Sequence, residues 1–143
     1  MNSPTTHKFV IILSKKIEPG VAMNAASHMA ACLAARASES DRKEMMFIDY
    51  IDADGNEHPS SGLSLIVLKA DNSNKIRVAR NEAKQKGISF VDFLESMTGD
   101  TYVEQQARTK QIKESDLEYF GLCLFGKKED IDPITRKFSM WRS

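Results

Sequence analysis

Short apolar runs alternate along the chain with longer stretches in which apolar residues recur at helical spacing. The apolar runs are rich in strand-forming residues and cover 8–13, 47–51, 63–68, 88–94 and 119–125. A continuous run such as the first is typical of a strand buried on both faces, which requires helices on both sides of the sheet. The polar segment 52–56 predicts a loop joining the second and third strands. The pattern therefore predicts five buried strands, with the core residues Phe9, Ile11, Leu13, Val67 and Leu124.

Four stretches between these runs carry helix signals. The first is alanine-rich, covers 21–37 and follows Pro19, a residue that suits the first turn of a helix. The second begins at one of the capping residues in 71–73 and ends before Gly87. The third covers 100–113 and is polar, so we expect it to dock loosely through Tyr102, Val103, Ala107 and Ile112. The fourth covers 129–138, with Asp132-Pro133 as its cap and first-turn proline.

The alternation of strands and helices predicts a three-layer α/β/α sandwich with a mixed sheet. The length of 143 residues corresponds to about one domain. We therefore expect a flexible N-terminus over residues 1–7 and a single α/β domain over residues 8–143.

Composition and charge narrow the class of protein. Lysine plus arginine and aspartate plus glutamate both number 20, so the chain lacks the basic excess that nucleic-acid binders usually carry. No apolar run approaches the ~18 residues of a membrane span, and the polar start of the chain does not resemble a secretory signal. Cys32 and Cys123 fit no metal-ligand spacing and are interpreted as small core residues in a reducing compartment. We expect a cytoplasmic protein with neither a metal nor a cofactor.

The polar residue with the clearest functional interpretation is His28. It lies in the middle of the first predicted helix, after a Pro-Gly turn that follows a buried strand. Ligand sites in α/β sheets tend to lie where the carboxyl end of a strand meets the next helix, and histidine can carry a proton or contact a ligand there. Asn24 precedes His28 by one helical turn on the same face. Either the two side chains line a crevice together, or both are packed between helix and sheet and hydrogen-bonded to the backbone.

A nucleophile is not obvious from the sequence. Ser27 is adjacent to His28, but neighbouring residues of a helix point in different directions, so this spacing does not form a hydrolase dyad. The chain also lacks a GxSxG elbow, a glycine-rich phosphate loop and a Walker pattern.

Two clusters of charge each have two interpretations. Either solvated turn residues or a cation site would explain the alternating carboxylates of Asp49, Asp52 and Asp54. Either a solvated helix face or an RNA-facing stripe would explain the basic residues Arg77, Arg80 and Lys84.

The segment from the first strand through the first helix resembles the opening of the type II peptidyl-tRNA hydrolases. Ala26-Ser27-His28 matches the end of the alanine-rich, serine-histidine motif of that family. A second resemblance, over nearly the whole chain from Lys8, is to a bacterial family known as domain of unknown function 2000, which shares the hydrolase fold. Its blocks are similar to residues 19–20, 24–26, 93–98, 119–122, 126–132 and 137–141.

The catalytic residues of the hydrolases are missing from the matching positions. The hydrolases have a lysine in the turn before the helix, where this chain has Pro19-Gly20-Val21. They also have an aspartate before the last strand, in a region that here reads QQARTKQ over 105–111. The resemblance therefore implies the fold and a homodimer, and it does not imply the hydrolase activity.

The function expected from these observations is that of a ligand-binding or regulatory domain. A small polar ligand would contact Pro19, Gly20, Asn24, Ser27 and His28. The alternative is a hydrolase related to the peptidyl-tRNA enzymes that acts through an altered site on a nucleotide-linked or small acyl substrate, with His28 as its candidate catalytic residue.

Overall fold

The computed structural model describes residues 5–141. Its strands are β1 (His7–Ser14), β2 (Phe47–Ile51), β3 (Glu57–Ser61), β4 (Leu65–Ala70), β5 (Ser89–Leu94), β6 (Tyr119–Lys127) and β7 (Ser139–Met140). Its helices are α1 (Pro19–Arg36), α2 (Glu39–Glu44), α3 (Ser73–Lys86), α4 (Tyr102–Thr109) and α5 (Lys128–Thr135), with short 3-10 turns at Glu95–Met97 and Glu114–Asp116. Of the flexible start expected for residues 1–7, residues 1–4 lie outside the described residues, and His7 is already the first residue of β1.

The main sheet is mixed, as predicted. Its strand order is β5-β6-β1-β4-β7, in which β1 and β4 run parallel and every other neighbouring pair runs antiparallel. The central strand β1 pairs with β6 on one side and β4 on the other, so that Ile11 lies between Cys123 and Val67. This central position explains why the first apolar run is continuous rather than alternating.

Helices cover both faces of this sheet. On one face α1 packs against β1, β5 and β6 through Ala22, Ala25, Met29 and Leu33. On the other face α3 and α5 pack against the sheet around Ile76, Ile131 and Ile134. The predicted core residues Phe9, Ile11, Leu13 and Leu124 are all buried. The prediction that Val67 is buried is wrong. Val67 is only half-buried, because it lies on β4, beyond the strands that α1 covers.

The second predicted strand does not belong to the main sheet. Instead, β2 pairs with β3 in a separate antiparallel hairpin, and every residue of β2 is exposed. The third apolar run becomes β4 in the main sheet, whereas β3 was not predicted, because its sequence EHPSS carries no apolar residue. The prediction of five buried strands is therefore wrong for β2.

The helix ends follow the predicted signals at α3 but not at α5. The Asn72 side chain accepts from the Lys75 backbone, and Gly87 ends α3 in the left-handed conformation at φ 69°. Pro133 lies inside α5 rather than in its first turn, because the helix follows β6 directly. The four expected anchors of the third helical stretch are all exposed, and α4 buries no residue, so it is loosely docked as predicted but by other contacts. None of the helices within residues 5–141 combines the length and apolarity required to cross a membrane.

Candidate functional site

A cavity of about 600 Å³ opens between α1, the edge strand β5 and the segment that leads into α4. The side of the cavity formed by α1 includes Gly20, Asn24, His28 and Cys32. The remaining walls come from β5 and the following segment, and include Val91, Phe93, Met97, Thr98 and Gln105. The cavity is therefore at the outer edge of the sheet, where α1 extends over its last strand.

Three of the five predicted ligand-binding residues lie at this cavity. Gly20, Asn24 and His28 line it together, as the one-turn spacing of the two side chains predicted. Pro19 occupies the first turn of α1 and is not among the lining residues. Ser27 is also outside the lining, and its hydroxyl donates to the Met23 carbonyl oxygen at 2.8 Å. Ser27 therefore satisfies its own helix rather than facing the cavity.

The imidazole of His28 is held against an aromatic wall. Its ring stacks on that of Phe93, with 5.8 Å between centroids and 25° between planes. Phe93 is itself buried, so it provides a fixed surface for the exposed histidine. Within residues 5–141 no protein group hydrogen-bonds the ring nitrogens of His28 or the side-chain amide of Asn24. Both side chains therefore retain their full hydrogen-bonding capacity toward a ligand.

The interpretation of Cys32 as a core residue is wrong. Cys32 is exposed and lines the cavity one turn beyond His28, whereas Cys123 is buried. Asn24, His28 and Cys32 recur every four residues, and this spacing is the sequence signal that places all three on one face of α1. The same spacing that predicted a shared face for Asn24 and His28 therefore extends to Cys32.

We predict that only one of the two cysteines reacts readily in the folded protein. Burial, followed by the neighbouring Cys32, raises the pKa of Cys123 to about 12, so its reactive thiolate is scarce at neutral pH. Titration with a thiol reagent at pH 8 is expected to modify one thiol per chain before unfolding and two after it. Cys32→Ser should abolish the first reaction and leave the second. Equal reactivity of both thiols in the folded protein would contradict this placement.

The segment between β5 and α4 is held by side chains of α4, chiefly that of Arg108. Arg108 of α4 donates through Nε to the Ser96 carbonyl at 3.1 Å and through a terminal nitrogen to the carbonyls of Thr98 and Gly99. It also forms an ion pair with Asp100 at 2.8 Å. Because Thr98 and Gly99 line the cavity, Arg108 fixes that wall.

The cavity lining offers little fixed charge. No lysine or arginine of the described residues lines it, and the one acidic residue that contributes, Asp92, directs its carboxylate to the other side of the sheet. There Asp92 accepts a hydrogen bond from Arg80 Nε at 3.2 Å. Burial raises the pKa of Asp92 despite the opposing effect of Arg80. The described lining therefore lacks the lysine and arginine side chains that typically hold a phosphate or carboxylate.

The basic residues of α3 do not form a free stripe. Arg77 donates to Glu114 at 3.0 Å and lies over the ring of Tyr119, at 5.1 Å from its centroid. Arg80 pairs with Asp92, and the side chains of both arginines are mostly buried. Neither a solvated helix face nor an RNA-facing stripe describes these two arginines. Arg77 links α3 to Glu114, and Arg80 links α3 to Asp92 of β5.

The alternating carboxylates lie on the exposed hairpin, where Asp52 organises the turn. Its side chain accepts from the backbone of Asp54 and Asn56 and from His58, each at 2.9 Å. The hydrogen bond from His58, followed by that from the Asn56 backbone, lowers the pKa of Asp52 to about 2. Within residues 5–141, no group of three or more His, Cys, Asp or Glu side chains is arranged to hold a metal ion.

Comparisons with known proteins agree on a family and a fold. The model of the family described as "Protein of unknown function (DUF2000)" matches residues 7–142. The chain is similar to a solved structure of a protein of unknown function, Atu0240, from Agrobacterium tumefaciens strain C58. That similarity has a TM-score of 0.78 at 18% identity and covers 96% of this chain and 98% of the other. None of the curated proteins matches the chain. Because the family model spans nearly all of the chain, the protein belongs to the DUF2000 family.

Proposed function

We propose that this protein is a binding or regulatory domain for a small, uncharged polar ligand held in the cavity beside α1. The observation that carries the proposal is that Asn24 and His28 point unpaired polar groups into a cavity of about 600 Å³. Small-molecule sites are typically mostly apolar, with a few convergent polar groups that orient the ligand. Val91, Phe93 and Met97 would supply the apolar contacts here.

The chemistry of the lining favours a neutral ligand over an anionic one. Asn24 offers an amide donor and acceptor, and His28 offers a second donor and acceptor in its neutral form. An anion would find no lysine or arginine side chain among the described lining residues. Ligands with amide, carbonyl or hydroxyl groups are therefore the expected class, and phosphorylated compounds are not.

A thermal-shift screen tests this proposal. A ligand at 100 times its Kd stabilises the folded state by about 2.7 kcal/mol, which corresponds to a rise in Tm of about 5–10 °C for a chain of this size. We expect uncharged polar compounds to produce such shifts. Asn24→Ala and His28→Ala should remove most of the shift, whereas Ser27→Ala, one residue away but outside the lining, should retain it. Shifts confined to phosphorylated compounds, or shifts unaffected by either cavity variant, would contradict the proposal.

A hydrolase with a type II peptidyl-tRNA hydrolase-like fold and an altered site is the second candidate. The specific observation that favours it is that His28 and Cys32 line the same cavity one helical turn apart, a spacing at which an imidazole can assist a thiol. Against it, Gly20 and Val21 line the cavity where the hydrolases have a lysine, so a cation for the developing negative charge is missing there. Turnover of an acyl ester or of peptidyl-tRNA that disappears in both His28→Ala and Cys32→Ser would favour this candidate. We propose a cytoplasmic location for either function, because both cysteines are free thiols.

A further inference from the structure

The strand β5 lies at one edge of the main sheet, and within residues 5–141 it pairs only with β6. The hydrogen bond from Lys128 N to Thr6 O shows that the even-numbered residues of β1 and β6 form the hydrogen-bonded pairs between those strands. By alternation, the odd-numbered residues of β6 direct their backbone groups toward the odd-numbered residues of β5. The backbone N–H and C=O groups of Phe90 and Asp92 therefore point away from the sheet.

The outward-facing backbone of Asp92 lies at the candidate cavity. Asp92 is a lining residue although its carboxylate is on the other side of the sheet with Arg80, so it lines the cavity through its main chain. No described residue hydrogen-bonds that N–H or that C=O. The cavity that contains the polar side chains of Asn24 and His28 therefore also contains an unused backbone donor and acceptor.

The edge of β5 has few of the features by which natural edge strands avoid pairing. Its sequence, SFVDFL, contains no lysine and no proline. Its one charged side chain, Asp92, is paired with Arg80 on the far face of the sheet. The register with β6 shifts only between Phe93 and Leu94, at the end of the strand. Because an unblocked edge is a template for an extended chain, β5 can accept a further strand beside the cavity.

We propose that the ligand of this cavity is an extended peptide segment, which adds to the outer edge of β5 as a further strand. The inference rests on the proposed function and narrows its ligand class, because a peptide backbone is a series of uncharged amides. The N–H and C=O of Asp92 hydrogen-bond the peptide backbone. Alternate side chains of the peptide point to the α1 side of the sheet, where Asn24 and His28 line the cavity.

The cavity has room for one chain. A strand residue occupies roughly 160 Å³, given its rise of ~3.3 Å, the ~4.8 Å between strands and the ~10 Å between packed layers. A cavity of about 600 Å³ therefore holds about four residues. The α1 helix bounds this space on one side and the segment containing Thr98 and Gly99 bounds it on another. These walls favour a single slender chain over another folded sheet.

The walls of the cavity also indicate which peptides fit. Val91, Phe93 and Met97 offer apolar contacts to the peptide side chains that point toward α1. The described lining has no lysine or arginine to pair with an acidic side chain or with a terminal carboxylate. An internal segment with uncharged side chains is therefore the expected ligand, and a free peptide C-terminus is not.

NMR titration of the full chain with two probes tests this proposal. The first probe is N-methylacetamide, a single amide, which should shift the side-chain signals of Asn24 and His28. The second is a pentapeptide of valine and alanine with a central glutamine, acetylated and amidated so that it carries no charge. It should also shift the backbone amide of Asp92 and slow the hydrogen exchange of that amide. The amide of Asp49 is the internal control. It faces outward from the exposed hairpin, by alternation from the hydrogen bond of Gly62 N to Met46 O, and should not respond.

N-methylation of the pentapeptide at each position in turn tests the pairing itself, because it removes one backbone donor and leaves the protein unchanged. Methylation at the alternate positions that face β5 is expected to weaken binding by about 10-fold or more, and at the others by less than about 2-fold. Binding that shows no such alternation, or an equal response of Asp49 and Asp92, would overturn the proposal. Binding of N-methylacetamide with no response of Asp92 to the pentapeptide would overturn it and leave the proposed function intact. No binding of either probe would count against both.

Discussion

Replacing Arg80 with methionine is expected to destabilise the protein by about 3 kcal/mol, because it leaves the Asp92 carboxylate desolvated and without its cation. The pair is 3.2 Å long, and its side chains are only 21% and 17% exposed. Methionine retains most of the apolar stem of Arg80 but loses the guanidinium, which lies over the Phe90 ring at 5.2 Å from its centroid. The expected loss therefore comes mainly from removing the charge, and urea unfolding at pH 7 measures it.

The pH dependence of this variant separates the charge effect from packing. Burial already raises the pKa of Asp92, and removing Arg80 should raise it further. A carboxyl whose pKa is raised on folding favours the folded state most at pH below its unfolded pKa of about 3.9, and that advantage is lost as pH rises through the folded value. The penalty of Arg80→Met should therefore be larger at pH 7 than at pH 4. Adding Asp92→Asn should restore much of the stability at pH 7, and an equal penalty at both pH values would contradict this account.

Replacing Gly121 with alanine is expected to cost about 1–3 kcal/mol, because the added methyl group enters a fully packed contact between sheet and helix. A Cβ at this position would lie 2.7 Å from Met29 Cε and 3.2 Å from both the Ile12 carbonyl oxygen and Leu13 Cδ2. The end of the methionine side chain can move, but the carbonyl oxygen of the central strand cannot move without distorting β1. Thermal unfolding measures the loss as a decrease in Tm of several degrees.

Gly126→Ala on the same strand is the matched control. A Cβ there meets nothing closer than 3.5 Å, so the substitution should be neutral or slightly stabilising through the lower entropy of the unfolded chain. Because Met29 also lines the cavity, Gly121→Ala should in addition alter the reaction rate of Cys32 with thiol reagents. Equal stability of the two alanine variants would contradict the prediction that the tight contact at Gly121 restricts the packing of α1.

The position of the cavity depends on both local and distant residues. The sequence alone placed Asn24 and His28 on one face of a helix after a buried strand, because helical spacing is a local property. The opposite wall comes from Phe93 and from the Thr98–Gly99 segment that Arg108 holds, more than 60 residues further along the chain. No local pattern indicates that an arginine on a polar helix will bind three carbonyls of a preceding segment. The same limit explains why Tyr102 and Val103 were expected to anchor α4 and are exposed instead.

The sequence by itself determined the mixed α/β class, the buried strand β1, the alanine-rich α1 and both ends of α3. Each of these depends on neighbours within a few residues, through continuous apolar runs, small side chains, and capping by Asn72 and Gly87. Only the tertiary structure decided which apolar runs are covered. The runs over β1 and β2 are both mostly apolar, yet β2 lies in the open on a hairpin and β1 at the centre of the sheet. Hydrophobicity measures how strongly a side chain avoids water, whereas burial depends on which distant surface folds over it. That surface is α1 for β1, and none of the described residues covers β2.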